Sequence, residues 1–481
     1  MNIITIVCDT FRRDHLGCYG NDWIHTENLN DFASKSVVFD RAYCGSFPTG
    51  HMRHDLFTGT YTFAHTFRDW KLEDNELAIQ DVLRSEGYVT MLINDCPHIL
   101  GAKNFQRGFN AWWHVRGQEF DAYMTAPSRE SSDRNKFYGE QYGKNIIDRV
   151  YEKDFVLAKT AQSAIHWLEL NYKAHKNFFL HIEFFDPHEP WDPPQWYTDL
   201  YYPDWEGDEH LGPAYTPKHH SNKEMHDASS LSGEELKHLN ALYAGNVTQV
   251  DRWVGKLLKT IEDMGLFEDT LIVFLTDHGT LIGEHGYIHK RGYGGVDPLY
   301  EEVARIPLIM HFPDSMDLKG RCDELVSVPD IMPTLADAAK IELSKPVEGK
   351  SILPVLNGDK ESLHDYLISC GGLVRPPARI TVTTKDWSMI PINDLGKNPD
   401  AEDQTLLDED DLGRPLKPEL YNIKDDPKQS KNLYFERKDI VKEMTNKLMD
   451  FLESLGVGEK FFREKKSVDL DSSFQTYSGY D

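Results

Sequence analysis

The sequence lacks the features that mark secreted, membrane and disulfide-stapled proteins. Its six cysteines include no CxxC motif and no paired spacing, which favours reduced thiols over a disulfide framework. No stretch is apolar for long enough to cross a membrane, and the apolar run that follows Met1 is too short for a signal sequence. We therefore expect a cytoplasmic protein with no membrane partner.

Positive charge is also scarce. The chain has 52 Lys and Arg residues against 79 Asp and Glu residues, a formal net charge of −27, which argues against nucleic acid as a partner. A chain this acidic must concentrate Arg, Lys, His or a metal locally to bind a small anionic substrate. Its 481 residues, 40% of them hydrophobic, suit one large α/β domain and a smaller second one.

The segment Thr270–Lys290, TLIVFLTDHGTLIGEHGYIHK, combines a strand pattern with side chains that can bind ligands. Its apolar run predicts a buried strand that ends at Asp277 and His278. Carboxylate and imidazole groups at the carboxyl end of a strand are a common arrangement of metal ligands in α/β sheets. By itself that dipeptide is better explained by a strand-end turn capped by Asp277, but the second Gly-Glu-His-Gly and Lys290 favour a site for a metal and an anion.

The first apolar run, Asn2–Cys8, predicts another strand, and this strand ends at Asp9. The carboxyl ends of parallel strands lie at one edge of a sheet, so Asp9 and Asp277 can converge there. The alternative for Asp9 is a helix N-cap.

Hydroxyl groups are frequent in the segment Ala42–Gly59, which includes Ser46 and Thr49. Pro48 suits the start of a helix, where unpaired N–H groups and the helix dipole favour an anion. Arg53 follows Thr49 by one helical turn, so a nucleophilic hydroxyl and a guanidinium that holds an oxyanion would share one face. An N-cap threonine with a solvent-facing arginine accounts for the same pattern equally well.

Two further predicted strand ends carry histidine. The run Gly87–Gly101 predicts a strand and then a turn with Asp95 and His98, and Asn177–Phe185 predicts a strand that ends near His188. The prolines on either side of His188 hold it rigidly, which suits a proton donor or an oxyanion contact.

The organisation of the chain changes near residue 360. Before it, long strands and helices indicate a catalytic domain of residues 1–360. After it, short strands and a final helix indicate an α+β subdomain with a tail, residues 361–481. The segment Thr198–Ser230 has histidines without regular spacing, so we interpret it as a loop or lid. The tail Glu459–Asp481 is either an arm that packs on a neighbouring subunit or a frayed end, and we expect a homo-oligomer.

Together these motifs resemble the sulfatase branch of the alkaline phosphatase superfamily. The matching segments are DTFRRDHLGCYG at Asp9–Gly20, TDHGTLIGEHGYIHK at Thr276–Lys290, YEEVARIPLIM at Tyr300–Met310, DIMPTLADAAKI at Asp330–Ile341 and ELYNIKDDPKQSKNL at Glu419–Leu433. The resemblance covers nearly the whole chain. It implies an α/β fold with a large mixed sheet sandwiched by helices and a smaller C-terminal antiparallel sheet with one helix.

The resemblance also implies roles for the polar residues at the strand ends. Asp9, Asp277 and His278 match the ligands of one divalent metal, and carboxylate and imidazole groups suit Mn, Zn or Ca. Lys290 matches the lysine that holds a substrate oxygen. His188 matches the histidine on the leaving-group side.

Three positions depart from the family pattern. Thr10 stands where a second aspartate is usual, so the metal site has one carboxylate fewer. In this respect the chain resembles the phosphonate monoester hydrolase and phosphodiesterase branch. Asp95 stands at a usual lysine, so this substrate-binding position loses an anion contact. His98 is displaced by one residue from the family's second histidine, a substrate contact.

The largest departure concerns the nucleophile, for which sulfatases use Cys or Ser in Cys/Ser-x-Pro-x-Arg, oxidised to formylglycine. If Ser46 holds that position, Pro48 is retained but the arginine is lost. If Thr49 holds it, Arg53 falls at the family's spacing and the proline is lost. We prefer Thr49, which cannot become formylglycine because its β-carbon carries a methyl group.

We therefore predict a metal-dependent, phosphodiesterase-like hydrolase of phosphate or phosphonate esters. Thr49 serves as the nucleophile and as a further metal ligand, since the metal lowers the pKa of its hydroxyl. Arg53 and Lys290 hold the remaining substrate oxygens, and His188, or else His98, protonates the departing oxygen.

Two other functions fit the same motifs. One is a true sulfatase, with formylglycine at Ser46 or with an unmodified Thr49. The other is a transferase, which passes the phosphoryl-bearing group to an alcohol.

Overall fold

The structure is a computed structural model that describes residues 1–65, 71–119, 121–126, 141–207, 226–290, 298–371, 380–391, 414 and 417–457. Most of the predicted lid Thr198–Ser230 lies outside the described residues, as does the whole tail Glu459–Asp481.

A nine-stranded mixed sheet forms the centre of the molecule, in the spatial order β4-β3-β5-β1-β6-β8-β2-β7, with β9 beside β2. Its strands are β1 (Asn2–Cys8), β2 (Val37–Tyr43), β3 (Val89–Asn94), β4 (Ala111–His114), β5 (Phe178–Phe184), β6 (Thr270–Leu275), β7 (Arg305–Ile306), β8 (Leu308–His311) and β9 (Gly320–Ser327). The predicted large mixed sheet is thereby confirmed.

The central strands β1, β5 and β6 are parallel neighbours, and every residue in them is buried. Helices cover both faces of the sheet, so these strands carry near-continuous apolar runs. Within β1, Ile3 and Val7 pack into the core on one face while Ile4 and Ile6 pack into the core on the other, as the two-residue period of a strand requires.

The apolar run Ile306–Phe312 has the pattern of one buried strand, but the structure divides it in two. Pro307 separates β7 from β8, because proline has no N–H to donate to the ladder. Both pieces pair antiparallel with β2, and β8 also pairs with β6.

The helices described are α1 (Glu27–Ser34), α2 (Thr49–Thr58), α3 (Thr62–His65), α4 (Ile79–Ser85), α5 (Val156–Asn171), α6 (Gln195–Thr198), α7 (Gly233–Asp263), α8 (Glu301–Ala304), α9 (Ile331–Ala338), α10 (Leu353–Leu356) and α11 (Lys438–Ser454). Helices α1, α5 and α7 pack on one face of the sheet, and α2, α4 and α9 on the other.

The sequence carries the end signals of helix α7: Ser232 and Glu235 have the spacing of a capping box, and Gly265 suits a C-terminal stop. Ser232 Oγ accepts from the Glu235 N–H at 3.2 Å, and the Glu235 carboxylate accepts from the Ser232 N–H at 2.7 Å. At the other end Gly265 has a φ of 71°, a left-handed conformation that favours glycine. The structure thus contains both the capping box and the glycine stop that these residues indicate.

A second sheet is antiparallel, in the order β10-β11-β12-β13. Its strands are β10 (Leu367–Cys370), β11 (Ile380–Thr383), β12 (Ser388–Ile390) and β13 (Glu419–Tyr421). Helix α11 packs its apolar side, including Met444 and Leu448, on this sheet. The predicted small sheet with one helix is confirmed, whereas the domain boundary at residue 360 stays a prediction.

No helix in the described ranges has the length and hydropathy of a membrane span. The cytoplasmic location and the homo-oligomer stay predictions from the sequence.

Candidate active site

Asp9 and Asp277 follow two neighbouring parallel strands, β1 and β6, at the same edge of the large sheet. Their carboxylates and the imidazole of His278 each place one potential ligand atom within 4.8 Å of the others. All three side chains are fully buried. The two acidic strand ends therefore converge, as the sequence predicted.

Thr10 links the two carboxylates. Its N–H donates to Asp277 Oδ1 at 2.9 Å, and its hydroxyl donates to Asp9 Oδ1 at 2.7 Å. The φ of Thr10 is +62°, which is uncommon for a β-branched residue and persists only where its surroundings enforce it. The threonine at this position of the family motif thus orients the two carboxylates.

His278 presents one ring nitrogen to the carboxylates. Its Nδ1 donates to the Gly279 carbonyl at 2.9 Å, so Nε2 of the neutral ring keeps its lone pair. Nε2 is buried and has no hydrogen-bond partner. Burial, opposed by the charge of Asp277, lowers the pKa of His278 and keeps the ring neutral. A backbone-oriented neutral imidazole of this kind is a typical metal ligand.

The Arg53 guanidinium faces three carboxylates inside the protein. Its nitrogens lie 3.1 Å from Asp9 Oδ2 and 2.9 Å from Glu183 Oε2, and they also contact Asp277 Oδ2. All four side chains are fully buried. One guanidinium against three carboxylates leaves two negative charges to be balanced, and buried charge is costly unless it is paired. The donor set and this charge both fit a divalent cation.

The charge imbalance perturbs the two carboxylates in opposite directions. Burial and the neighbouring Asp277 raise the pKa of Asp9 to about 7, although Arg53 and Lys290 oppose that rise. Burial acts on Asp277 too, but His278 and Arg53 outweigh it and lower the pKa of Asp277. When no cation is bound, Asp277 therefore stays ionised, whereas Asp9 takes up a proton more readily than an ordinary aspartate.

Thr49 is the first residue of α2, and its helix begins beside the cluster. The Thr49 carbonyl accepts from Arg53 Nη1 at 3.1 Å, and the same nitrogen contacts Asp277. The Thr49 side chain is only partly buried. The helix start that the sequence predicted to receive an anion thus lies next to the candidate metal ligands.

Ser46, the other candidate nucleophile, is buried and its hydroxyl is engaged in hydrogen bonds within the protein. It is fully buried, its hydroxyl donates to Asp55 Oδ1 at 2.8 Å, and it accepts from the Phe63 N–H at 3.0 Å. Asp55 also accepts from the Ser46 and Thr62 N–H groups. These bonds tie Ser46 to the start of α3.

Lys290 reaches the cluster from the loop that follows β6. Its Nζ contacts Thr10 Oγ1 and lies 3.3 Å from Glu189 Oε2 and 4.0 Å from Asp9 Oδ1. The structure therefore brings this predicted site residue to the same place as Asp9.

The two predicted histidines both lie close to Phe185, whose ring centroid is 4.1 Å from that of His188 and 6.0 Å from that of His98. His188 is buried, and its Nδ1 donates to the Glu189 carbonyl at 2.6 Å. His98 donates from Nε2 to Glu119 at 3.0 Å.

Asp95 is not brought into this cluster. Its carboxylate accepts from the Phe185 N–H at 2.7 Å and from Thr160 Oγ1 at 2.9 Å, which are contacts that support β5 and α5. The substrate-binding role of Asp95 thus stays a prediction.

Sequence reasoning missed Glu183 and Glu189. Glu183 pairs with Arg53 and accepts from His181 Nε2 at 2.8 Å. The sequence does contain a signal for Glu183, which is the one carboxylate in the mostly apolar run FFLHIEFF. A charged residue in a buried strand requires a partner.

Comparisons with known proteins found relatives in sequence and in fold. The sequence pattern that defines the family described as Sulfatase matches residues 1–341. An arylsulfatase of Clostridium perfringens is 28% identical over 417 residues, which cover 80% of this chain and 84% of the relative.

Two solved structures share the fold. A phosphonate monoester hydrolase of Agrobacterium radiobacter superposes with a TM-score of 0.70 at 19% identity, covering 94% of this chain and 95% of that chain. A protein solved in complex with its substrate D-glucosamine-2-N,6-O-disulfate also has a TM-score of 0.70, at 20% identity, covering 96% of this chain and 99% of the other.

Proposed function

The chain belongs to the sulfatase family of ester hydrolases, and from this premise we propose that it hydrolyses phosphate or phosphonate esters with the Thr49 hydroxyl as nucleophile. The observation that supports the proposal is the contrast between the surroundings of the two candidate residues. Ser46 is held by Asp55 and Phe63, whereas Thr49 begins a helix beside Arg53 and Asp277.

An unmodified threonine favours phosphorus over sulfur esters. Sulfatases that form formylglycine need Cys or Ser at the nucleophile position, and threonine cannot be converted because its β-carbon carries a methyl group. A plain threonine ester must instead be cleaved by attack of water on the transferred group. Covalent catalysis of this kind splits a difficult displacement into two easier ones.

Asp9, Asp277 and His278 are the residues that would hold a divalent ion, with Thr49 as a further ligand. When bound, the ion supplies Lewis-acid stabilisation of negative charge on oxygen. The uncompensated carboxylate charge around Arg53 and the lone pair of His278 Nε2 support this assignment.

The chain's own residues supply the remaining steps. The Thr49 hydroxyl loses its proton to solvent, and its oxygen forms a bond to the phosphorus while the bond between the phosphorus and the leaving oxygen breaks. The Lys290 ammonium holds a substrate oxygen as charge develops on it, and the buried Arg53 keeps Asp9 and Asp277 in place beside that group. A histidine, His188 or His98, donates a proton to the departing oxygen. Water then attacks the phosphorus, the bond from phosphorus to the Thr49 oxygen breaks, and that oxygen regains a proton from solvent.

Substitution of each hydroxyl tests the assignment. Thr49→Val should reduce kcat/KM for an aryl phosphonate monoester or a bis-aryl phosphate by at least about a thousand-fold, since the nucleophile is lost. Thr49→Ser should retain activity. Ser46→Ala should retain activity at a temperature where it stays folded. An inactive Ser46→Ala alongside an active Thr49→Val would overturn the assignment, and loss of hydrogen from the Ser46 peptide by mass spectrometry would identify formylglycine there.

The second candidate is a true sulfatase, which the match to the arylsulfatase favours. The two functions differ in substrate preference. We expect the purified protein, loaded separately with Mn²⁺, Zn²⁺ and Ca²⁺, to have a higher kcat/KM for a phosphonate or phosphate ester than for an aryl sulfate. The reverse preference with every ion would establish the sulfatase instead.

A further inference from the structure

Glu119 places a buried carboxylate between the two histidines of the site. Its side chain is 2% exposed, and its Oε2 accepts from His98 Nε2 at 3.0 Å. Its Oε1 lies 3.6 Å from His188 Nδ1 and has no hydrogen-bond partner. One carboxylate therefore faces both candidate proton donors.

The backbone at Glu119 is strained. Its φ is +39°, in a region that non-glycine residues seldom occupy because of steric crowding. The Asn145 side chain donates to the Glu119 carbonyl at 3.1 Å, and Gln118 Nε2 donates to Asp186 Oδ2 at 2.8 Å. Gln118 thus ties the Glu119 segment to the turn that carries His188. Strain of this kind persists where surrounding contacts require it, and such sites are frequently functional.

The charges around the two imidazoles differ. For His98, burial opposes the charged form, but the hydrogen bond and charge of Glu119 outweigh it and raise the pKa, with Asp9 assisting and Arg53 opposing. For His188, burial lowers the pKa, with Lys290 assisting and Glu189 and Glu119 opposing. His98, whose side chain is 45% exposed, therefore carries a proton more readily than the buried His188.

We propose that Glu119 is a positioning residue that makes His98 the proton donor to the departing oxygen. With the Nε2–H of His98 directed at Glu119, Nδ1 is the nitrogen that acts on the substrate. As the bond to the leaving oxygen breaks, its electron pair stays on that oxygen and the Nδ1 proton passes to it. Neutral His98 then takes a proton from the water that cleaves the Thr49 ester, which restores the donor. The inference rests on the proposed covalent step at Thr49.

The test is the dependence of rate on the leaving group. We expect Glu119→Gln to lower kcat/KM about 10- to 100-fold for a phenyl ester but less than about 3-fold for the 4-nitrophenyl ester, because the better leaving group needs little proton donation. The alkaline limb of the kcat/KM pH profile should move to lower pH, since His98 loses the carboxylate that holds its proton. Glu119→Asp should recover part of both effects.

Glu348→Gln is a matched control, because Glu348 pairs with His65 in another His–carboxylate contact outside the site. It should leave both the leaving-group dependence and the pH profile unchanged. An equal loss for both esters in Glu119→Gln, with an unmoved alkaline limb, would show a merely structural role and overturn the inference.

Direct titration covers the case in which Glu119→Gln does not fold. In the intact enzyme, NMR of the ring nitrogens, assigned with His98→Gln, should show His98 protonated to higher pH than His188. The opposite order would overturn the inference. Hydrolysis abolished by Thr49→Val but with no special effect of Glu119→Gln would refute the inference alone, whereas activity that survives Thr49→Val would refute the proposed function.

Discussion

Replacement of Arg53 by methionine should expose how strongly the site depends on one buried cation. The guanidinium is fully buried and contacts Asp9, Glu183 and Asp277, which are fully buried as well. Removing one partner of a buried ion pair costs about 3–5 kcal/mol. Arg53→Met leaves three carboxylates without their shared cation, so we expect a loss of free energy of unfolding of about 5 kcal/mol in the presence of a chelator.

The pairing can be isolated with a double-mutant cycle. Glu183→Gln removes one of the three charges but keeps an oxygen that can accept from His181. In Arg53→Met/Glu183→Gln, fewer uncompensated charges remain, so the double variant should lose about 1–3 kcal/mol less than the sum of the single losses. Urea unfolding followed by tryptophan fluorescence in EDTA gives each free energy.

Arg321→Met provides the control for the arginine side chain itself. Arg321 pairs with Asp40 at the surface, where its side chain is 50% exposed, and exposed pairs contribute less than about 1 kcal/mol. If Arg53→Met costs no more than Arg321→Met, or if the cycle shows strict additivity, the charge arrangement inferred around Arg53 is wrong.

Three further predictions concern the site and its supports. His278→Ala should abolish the stoichiometric binding of Mn²⁺, Zn²⁺ or Ca²⁺ that calorimetry detects in the wild type. EDTA should lower the Tm of the wild type but leave the Tm of His278→Ala unchanged. Gly279→Ala should not fold stably in thermal unfolding, because a Cβ there would lie 1.9 Å from the Glu302 carbonyl oxygen. Burial raises the pKa of Asp251 to about 6, above its unfolded value of about 3.9, so the stability it contributes is full below about pH 4 and is lost as pH rises through 6. Urea unfolding should show the wild type losing up to about 3 kcal/mol relative to Asp251→Asn over that window.

The sequence by itself determined the elements that carry the site. Near-continuous apolar runs identified β1 and β6, and Asp9 and Asp277, which follow their carboxyl ends, are candidate metal ligands. Helix α7 was predictable at both ends from its capping box and its glycine. These features depend on a few consecutive residues, so local sequence is sufficient to specify them.

The arrangement of the polar side chains was decided by the tertiary structure. Arg53 is one helical turn from Thr49, and the sequence therefore suggested that it faces the substrate, but the fold turns its guanidinium to Asp9, Asp277 and Glu183. Likewise, only the fold shows that the Ser46 hydroxyl donates a hydrogen bond to Asp55.

The physical reason is the distance along the chain between the partners. Arg53 and Asp277 are 224 positions apart, and Lys290 and Thr10 are 280 apart, so no local pattern records their contact. Helix and strand periodicity follow from neighbouring residues, whereas a buried charge cluster forms only when separate strands pair in one register and exclude water around it. The sequence thus determined which groups stand at the strand ends, and the folded sheet alone decided which charged groups pair with one another.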